Sequence, residues 1–234
     1  MNNLLTSTTL AMLATSSVAF ANDVQITSIQ RVVKASVQDD QGVFESDFDE
    51  QWNYLIGDWD VEANASLGLF NNIDVIQKSK TAPNAHNGAY MSKTIADGVM
   101  FIEGVADDTP QSVTMGTSGC DVTLKAVHTA FMQISAVIQP GHGNMSPNMR
   151  YEVSIRNLDT DEYLLDKTVS FNNPEALHKN LLVPAGEYQV NVYLHYNHAG
   201  DLNCEDPDGG VYFHIGASHW HDEPEHPQEM DPEG

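Results

Sequence analysis

Trp59-Asp60-Val61-Glu62-Ala63-Asn64-Ala65-Ser66-Leu67-Gly68-Leu69 alternates apolar and polar positions over eleven residues. Successive side chains of an extended chain point to opposite sides, so this period of two describes a strand with one buried face. The same period recurs in Tyr188, Val190, Val192, Leu194 and Tyr196, interleaved with Gln189, Asn191, Tyr193 and His195. Shorter alternations occupy Val122-Leu124-Ala126, Met132-Ile134-Ala136-Ile138, Tyr151-Val153-Ile155 and Val211-Phe213-Ile215. Turn-forming clusters separate them: Thr81-Ala82-Pro83-Asn84, Pro140-Gly141-His142-Gly143-Asn144, Asn172-Asn173-Pro174 and Asp206-Pro207-Asp208-Gly209-Gly210. Many short strands between turn signals predict an all-β fold, an antiparallel β-sandwich of jelly-roll or immunoglobulin-like Greek-key type. Helix is confined to one expected turn at 174–179, where Pro174 suits a first-turn position.

Residues 1–21 read as an export signal. Leu10-Ala11-Met12-Leu13-Ala14 and Val18-Ala19-Phe20 are apolar, and Ala19-Phe20-Ala21 places small residues at the two positions a signal peptidase reads. The first nine residues carry no Lys or Arg, so the positive n-region is the terminal amine alone. Ser16, Ser17 and the threonines interrupt the segment, which falls short of the roughly 20 apolar residues a membrane span needs. The expected organisation is a leader at 1–21, one β-sandwich domain at 22–218, and a disordered tail at 219–234. That tail holds six acids, three prolines, three histidines and no Lys or Arg, too little apolar surface to offset chain entropy. Asp107-Asp108-Thr109-Pro110 is read as a loop and not as a domain boundary.

The chain carries 33 acidic and 10 basic residues, a formal charge of −23, and none of the ionisable side chains falls in the leader. Such a surface repels phosphate backbones and anionic headgroups, which argues against nucleic-acid and polybasic membrane partners. In a salty external medium the same charge serves solubility, because screening removes most self-repulsion.

Cys120 and Cys204 are the only cysteines. In an exported protein an even pair reads as one disulfide, here closing a loop of 85 residues. Beside Cys204, the stretch from Asp201 to Gly210 offers Asp201, Glu205, Asp206 and Asp208 as hard oxygen ligands for Ca²⁺. It is no EF-hand, since Asp206 stands where that loop needs glycine and Tyr212 where it needs glutamate. The histidines form a second candidate set for Cu or Zn: His195, His198, His214, His219, His221 and His226 near the C-terminus, with His142, Met145 and Met149 supplying an imidazole and soft thioethers. No closed-site spacing joins three or four of them.

Catalytic signatures are missing. Gly116-Thr117-Ser118-Gly119-Cys120 approaches a nucleophile elbow but has cysteine at the final glycine position and lacks a strand-to-helix setting. The reading is a non-enzyme. A carbohydrate-binding role would require exposed aromatics in a row, for which Trp52, Tyr54 and Trp59 are the candidates.

Met132 to Ala217 resembles the last strands of secreted bacterial β-sandwich, jelly-roll-like proteins, over about a third of the chain. The resemblance rests on an alternating strand, then Leu181-Leu182-Val183-Pro184-Ala185-Gly186-Glu187-Tyr188, then Tyr188 to Tyr196, then Val211 to Ile215. Pro184-Ala185-Gly186-Glu187-Tyr188 is similar to the turn entering a penultimate strand, where the tyrosine packs at a corner. It implies a fold and an extracytoplasmic role but no reaction. The expected function is a binding or structural component of the envelope or extracellular space, with a carbohydrate or an envelope protein as partner. The alternative is a periplasmic or extracellular Cu/Zn-binding protein.

Overall fold

The computed structural model describes residues 24–53, 57–81, 93–107, 109–141, 146–199 and 206–219. They form twelve strands: β1 Val24–Gln38, β2 Phe44–Asn53, β3 Gly57–Ser66, β4 Asn72–Thr81, β5 Lys93–Val105, β6 Val113–Ala126, β7 Ala130–Pro140, β8 Met149–Asn157, β9 Glu162–Ser170, β10 Leu177–Val183, β11 Gly186–Ala199 and β12 Asp208–His219. Two six-stranded sheets result, ordered β2-β1-β6-β11-β8-β9 and β10-β7-β12-β5-β4-β3, with every pairing antiparallel. From β5 onward the chain crosses repeatedly between the sheets, wrapping one core. The described residues contain no helix, hence none able to cross a membrane.

Alternation decides which side of each strand meets the other sheet. In β11, Tyr188, Val190, Val192, Leu194 and Tyr196 are at most 1% exposed, and they oppose the inward residues Ile73, Val75, Met100, Ile102, Ile134 and Phe213 of the second sheet. Each such side chain contributes roughly 1.5–3 kcal/mol on burial. The alternating stretch from Trp59 forms β3, with Trp59, Ala63 and Ala65 buried, although the strand stops at Ser66 and Leu69 is 83% exposed in the turn beyond. Tyr188 sits at the corner its sequence implied, its hydroxyl donating to the Pro184 carbonyl at 2.9 Å.

Two expectations are corrected. The 174–179 segment makes no helical turn, because Leu177 already begins β10, which pairs with β7 from Ala136 to Ala130. Nor is there a Cys120–Cys204 bridge to report: Cys120 is a free thiol, fully buried in the middle of β6 between Arg31 and Val192, and burial pushes its ionisation up to about 12. Cys204 lies outside the described residues.

Sequence reading also missed a polar seam within the core. Arg31, 1% exposed, points inward from β1, its guanidinium donating to Thr81 Oγ1 at 2.7 Å and to the Gly57 carbonyl at 3.2 Å, with the Trp59 ring 5.9 Å away. Its Nε has no hydrogen-bond partner. Gln77, Ser79 and Ser118 continue the seam, with the Gln77 amide against Ser118 Oγ at 3.2 Å. Desolvation lowers the Arg31 ionisation, an effect opposed by nearby Cys120 and Asp58.

Candidate functional site on the outer face of the first sheet

Gly119 lies opposite Tyr193 in the β6–β11 register, and on the solvent side the Tyr193 ring lies across it: a Cβ at Gly119 would come within 2.2 Å of the ring. Only glycine permits this approach. Two residues along β11, the His195 ring stacks parallel to Tyr193, with centroids 5.7 Å apart and an interplanar angle of 4°. The outcome is a flat aromatic ledge at the centre of the sheet.

Planar polar groups surround it. On one side Gln189 Nε2 donates to Asp121 Oδ2 at 2.7 Å, and the Asn191 amide nitrogen faces both Asp121 oxygens at 3.0 and 3.1 Å while its oxygen accepts from Ser154 Oγ at 3.2 Å. Opposite, Thr117 Oγ1 lies 3.2 Å from His195 Nδ1, Glu152 lies 3.7 Å from Nε2, and Arg150 Nε donates to Glu152 at 3.0 Å. Toward the β2 edge, Gln30 donates to Glu50 at 2.5 Å. Asp121, Tyr193 and His195 are half-buried, and their ionisation shows it. Burial raises Asp121 despite the Gln189 bond, pushes Tyr193 up to about 12 with help from Asp121, and lowers His195 against the pull of Glu152.

Among the described residues the metal candidates do not converge. Among the described residues, no three His, Cys, Asp or Glu side chains form a group that could hold an ion. His195 belongs to the ledge, His198 is buried with Nε2 3.2 Å from the Asp107 carbonyl, His214 sits on the outer side of β12, and Met149 is buried at the start of β8. His219 ends β12; His142, Met145, His221 and His226 lie outside the described residues. Of the calcium candidates, Asp206 accepts from the Ala106 N–H at 3.0 Å and Asp208 begins β12, while Asp201 and Glu205 lie outside the described residues.

Aromatic placement differs from expectation as well. Trp52 is 67% exposed, Trp59 is buried, and Tyr54 lies outside the described residues. The actual outward row is Phe44, Phe48 and Trp52 on β2. Ser118, the near-elbow serine, faces the core. Asp97, His214 and Ser135 are cross-strand neighbours on the second sheet, all three within paired strands.

No protein-family model matches the sequence, and no curated protein matches it. Among solved structures the chain is similar to an arabinose-bound α-L-arabinofuranosidase at 10% identity, with 57% of this chain and 23% of that one covered and a TM-score of 0.23. The chain thus spans under a quarter of that enzyme, and a likeness of this size bears on neither fold nor activity.

Proposed function

We propose that this is an exported, non-catalytic binding protein of jelly-roll type whose ligand is carbohydrate, held on the outer face of the first sheet. The strand order supports the finer fold reading: β5-β12-β7-β10 faces β6-β11-β8-β9, the two-Greek-key arrangement of an eight-stranded jelly roll, with β1 to β4 extending one side.

One observation carries the ligand reading: the Tyr193 ring laid flat over Gly119 and bordered by the amides and carboxylates of Gln189, Asn191, Asp121 and Glu152. A sugar ring presents an apolar C–H face and a rim of adjacent hydroxyls. The first suits a flat aromatic surface, and the second suits planar groups that accept or donate two hydrogen bonds at once. Preorganisation favours binding, because these side chains already hold one another in place.

A glycan array probed with wild-type protein and Tyr193→Ala tests the site. At least one glycan should bind, with a loss of about tenfold or more in the variant, which corresponds to one central aromatic contact. No hit, or a hit that Tyr193→Ala leaves unchanged while its melting curve shows a folded protein, overturns the reading. Export is checked separately by fractionating the producing cells. The protein should appear outside the cytoplasm beginning at Asn22, and a cytosolic product retaining Met1 would refute that part.

A further inference from the structure

Among the described residues β2, Phe44-Glu45-Ser46-Asp47-Phe48-Asp49-Glu50-Gln51-Trp52-Asn53, is a free edge of the first sheet, exposed from Phe44 to Asp49 and at Trp52, with Glu50 and Gln51 half-buried. Phe44, Phe48 and Trp52 share its outward side at 58%, 65% and 67% exposure, with Val43 at 52% just before them. A long edge strand with exposed aromatics is normally paired, covered or blunted. Here the aromatics have a symmetry of their own. Phe48 stands midway between Phe44 and Trp52, four residues from each.

We infer that β2 pairs with β2 of a second copy of this chain, antiparallel, about a two-fold axis at Phe48. A two-fold interface requires that if one residue meets another, the reverse contact also exists. With Phe48 opposite Phe48, Phe44 falls opposite Trp52 at both ends, and Ser46 opposite Glu50. All three aromatics of each strand then meet an aromatic. Sliding the strands by one pair in either direction sets Phe48 against Glu50 or Ser46 and breaks every aromatic match. Cross-strand aromatic pairs contribute roughly 0.2–1 kcal/mol each beyond the ladder itself.

The other side of the strand sets the strength. The same register places Asp47 opposite Asp49 twice, a like-charge pairing that destabilises the contact and that salt screens. The covered area is also small, below the roughly 1,200 Å² of a standard stable interface. A dimer with a dissociation constant of about 1–100 µM, tightened by salt, is therefore the expected species. It would join two six-stranded sheets edge to edge with both outer faces on the same side. If the carbohydrate reading holds, the two Tyr193 ledges would lie about 34 Å apart, seven strand spacings, so a polymer could engage both.

Sedimentation and site-directed cross-linking test this. Full-length protein should self-associate at about 100 µM, with a dissociation constant that falls about threefold or more as NaCl rises from about 0.05 to 0.5 M. Phe48→Glu, a change at a site exposed in the monomer, should weaken association by about tenfold or more. In a Cys204→Ser background, mild oxidation should link Phe48→Cys to itself, while Phe44→Cys and Trp52→Cys link to each other when mixed and neither links alone. A monomer at high concentration and high salt overturns the inference. So does self-linking of Trp52→Cys as efficient as that of Phe48→Cys, which would show association in another register.

Discussion

β11 and β2 belong to the same sheet, yet one hides its Tyr188 and Tyr196 while the other displays Phe44, Phe48 and Trp52. The difference lies in what stands across from each. β11 is flanked by β6 and β8 and faces the second sheet, so its even-numbered side chains enter a packed interior. Among the described residues β2 has a single neighbour, β1, and its register with that strand puts the aromatics on the solvent side and Glu45, Asp47 and Asp49 on the side toward β3. Asp47 even accepts from the Asn64 N–H at 3.2 Å, capping an edge group of β3. Period two therefore announces a strand but does not say which side is interior; a second sheet decides that.

The largest effect should come from testing the contrast directly. Leu194→Ala, at a wholly buried position of β11, should cost about 3 kcal/mol, whereas Phe48→Ser on β2 should change monomer stability by no more than about 0.5 kcal/mol. Urea unfolding at about 0.1 µM protein, below the expected dimer range, measures both. Equal losses would mean that β2 is part of the packed core and would break the comparison.

Legibility from sequence followed this division only in part, since β3 reads clearly although it is an edge strand. The strands read in advance lie within β3, β6, β7, β8, β11 and β12, most of them paired on both sides and facing a dense interior. The strands not legible are β1, β4 and β5, each paired on both sides, and the outer strands β2, β9 and β10, where among the described residues one neighbour is missing and the alternation is diluted by exposed positions such as Tyr163, Leu164 and Leu182. The ledge was half legible. The alternation puts Tyr193, Asn191 and His195 on the polar side of their strand, but it does not reveal that Gly119 lies opposite Tyr193, because their pairing spans 74 positions of chain. The glycine in an otherwise strand-like run was the available signal, since such a residue often marks a close approach.

Arg31 sharpens the contrast from within, as a charged residue on the inward side of β1, where Ile29 and Val33 are its apolar neighbours. Removing a buried, incompletely bonded cation while keeping its volume is often neutral or stabilising. Thr81 Oγ1 and the Gly57 backbone remain bonded to each other without it. Arg31→Met should therefore raise the stability by about 1 kcal/mol, read as a higher urea midpoint at unchanged slope. A loss of several kcal/mol would show that the guanidinium organises this end of the interior.

The smallest effect concerns the solvent side of β11. Burial lowers the His195 ionisation below its ordinary value, with Arg150 adding to the shift and Glu152 opposing it. Between the folded and unfolded values the unfolded state holds the extra proton, so stability is fully present above about pH 6.5 and declines as the pH falls through the folded value. His195→Asn should remove that decline, so wild type and variant should converge or cross between about pH 7 and 5 in urea midpoints. The groups facing the ring are Thr117, Glu152, Arg150 and Tyr193, and of these only Glu152 can oppose the trend by pairing with the protonated imidazole. A wild-type midpoint that rises relative to the variant on acidification would mean that this pair outweighs burial, making the ledge a site tightened by acid.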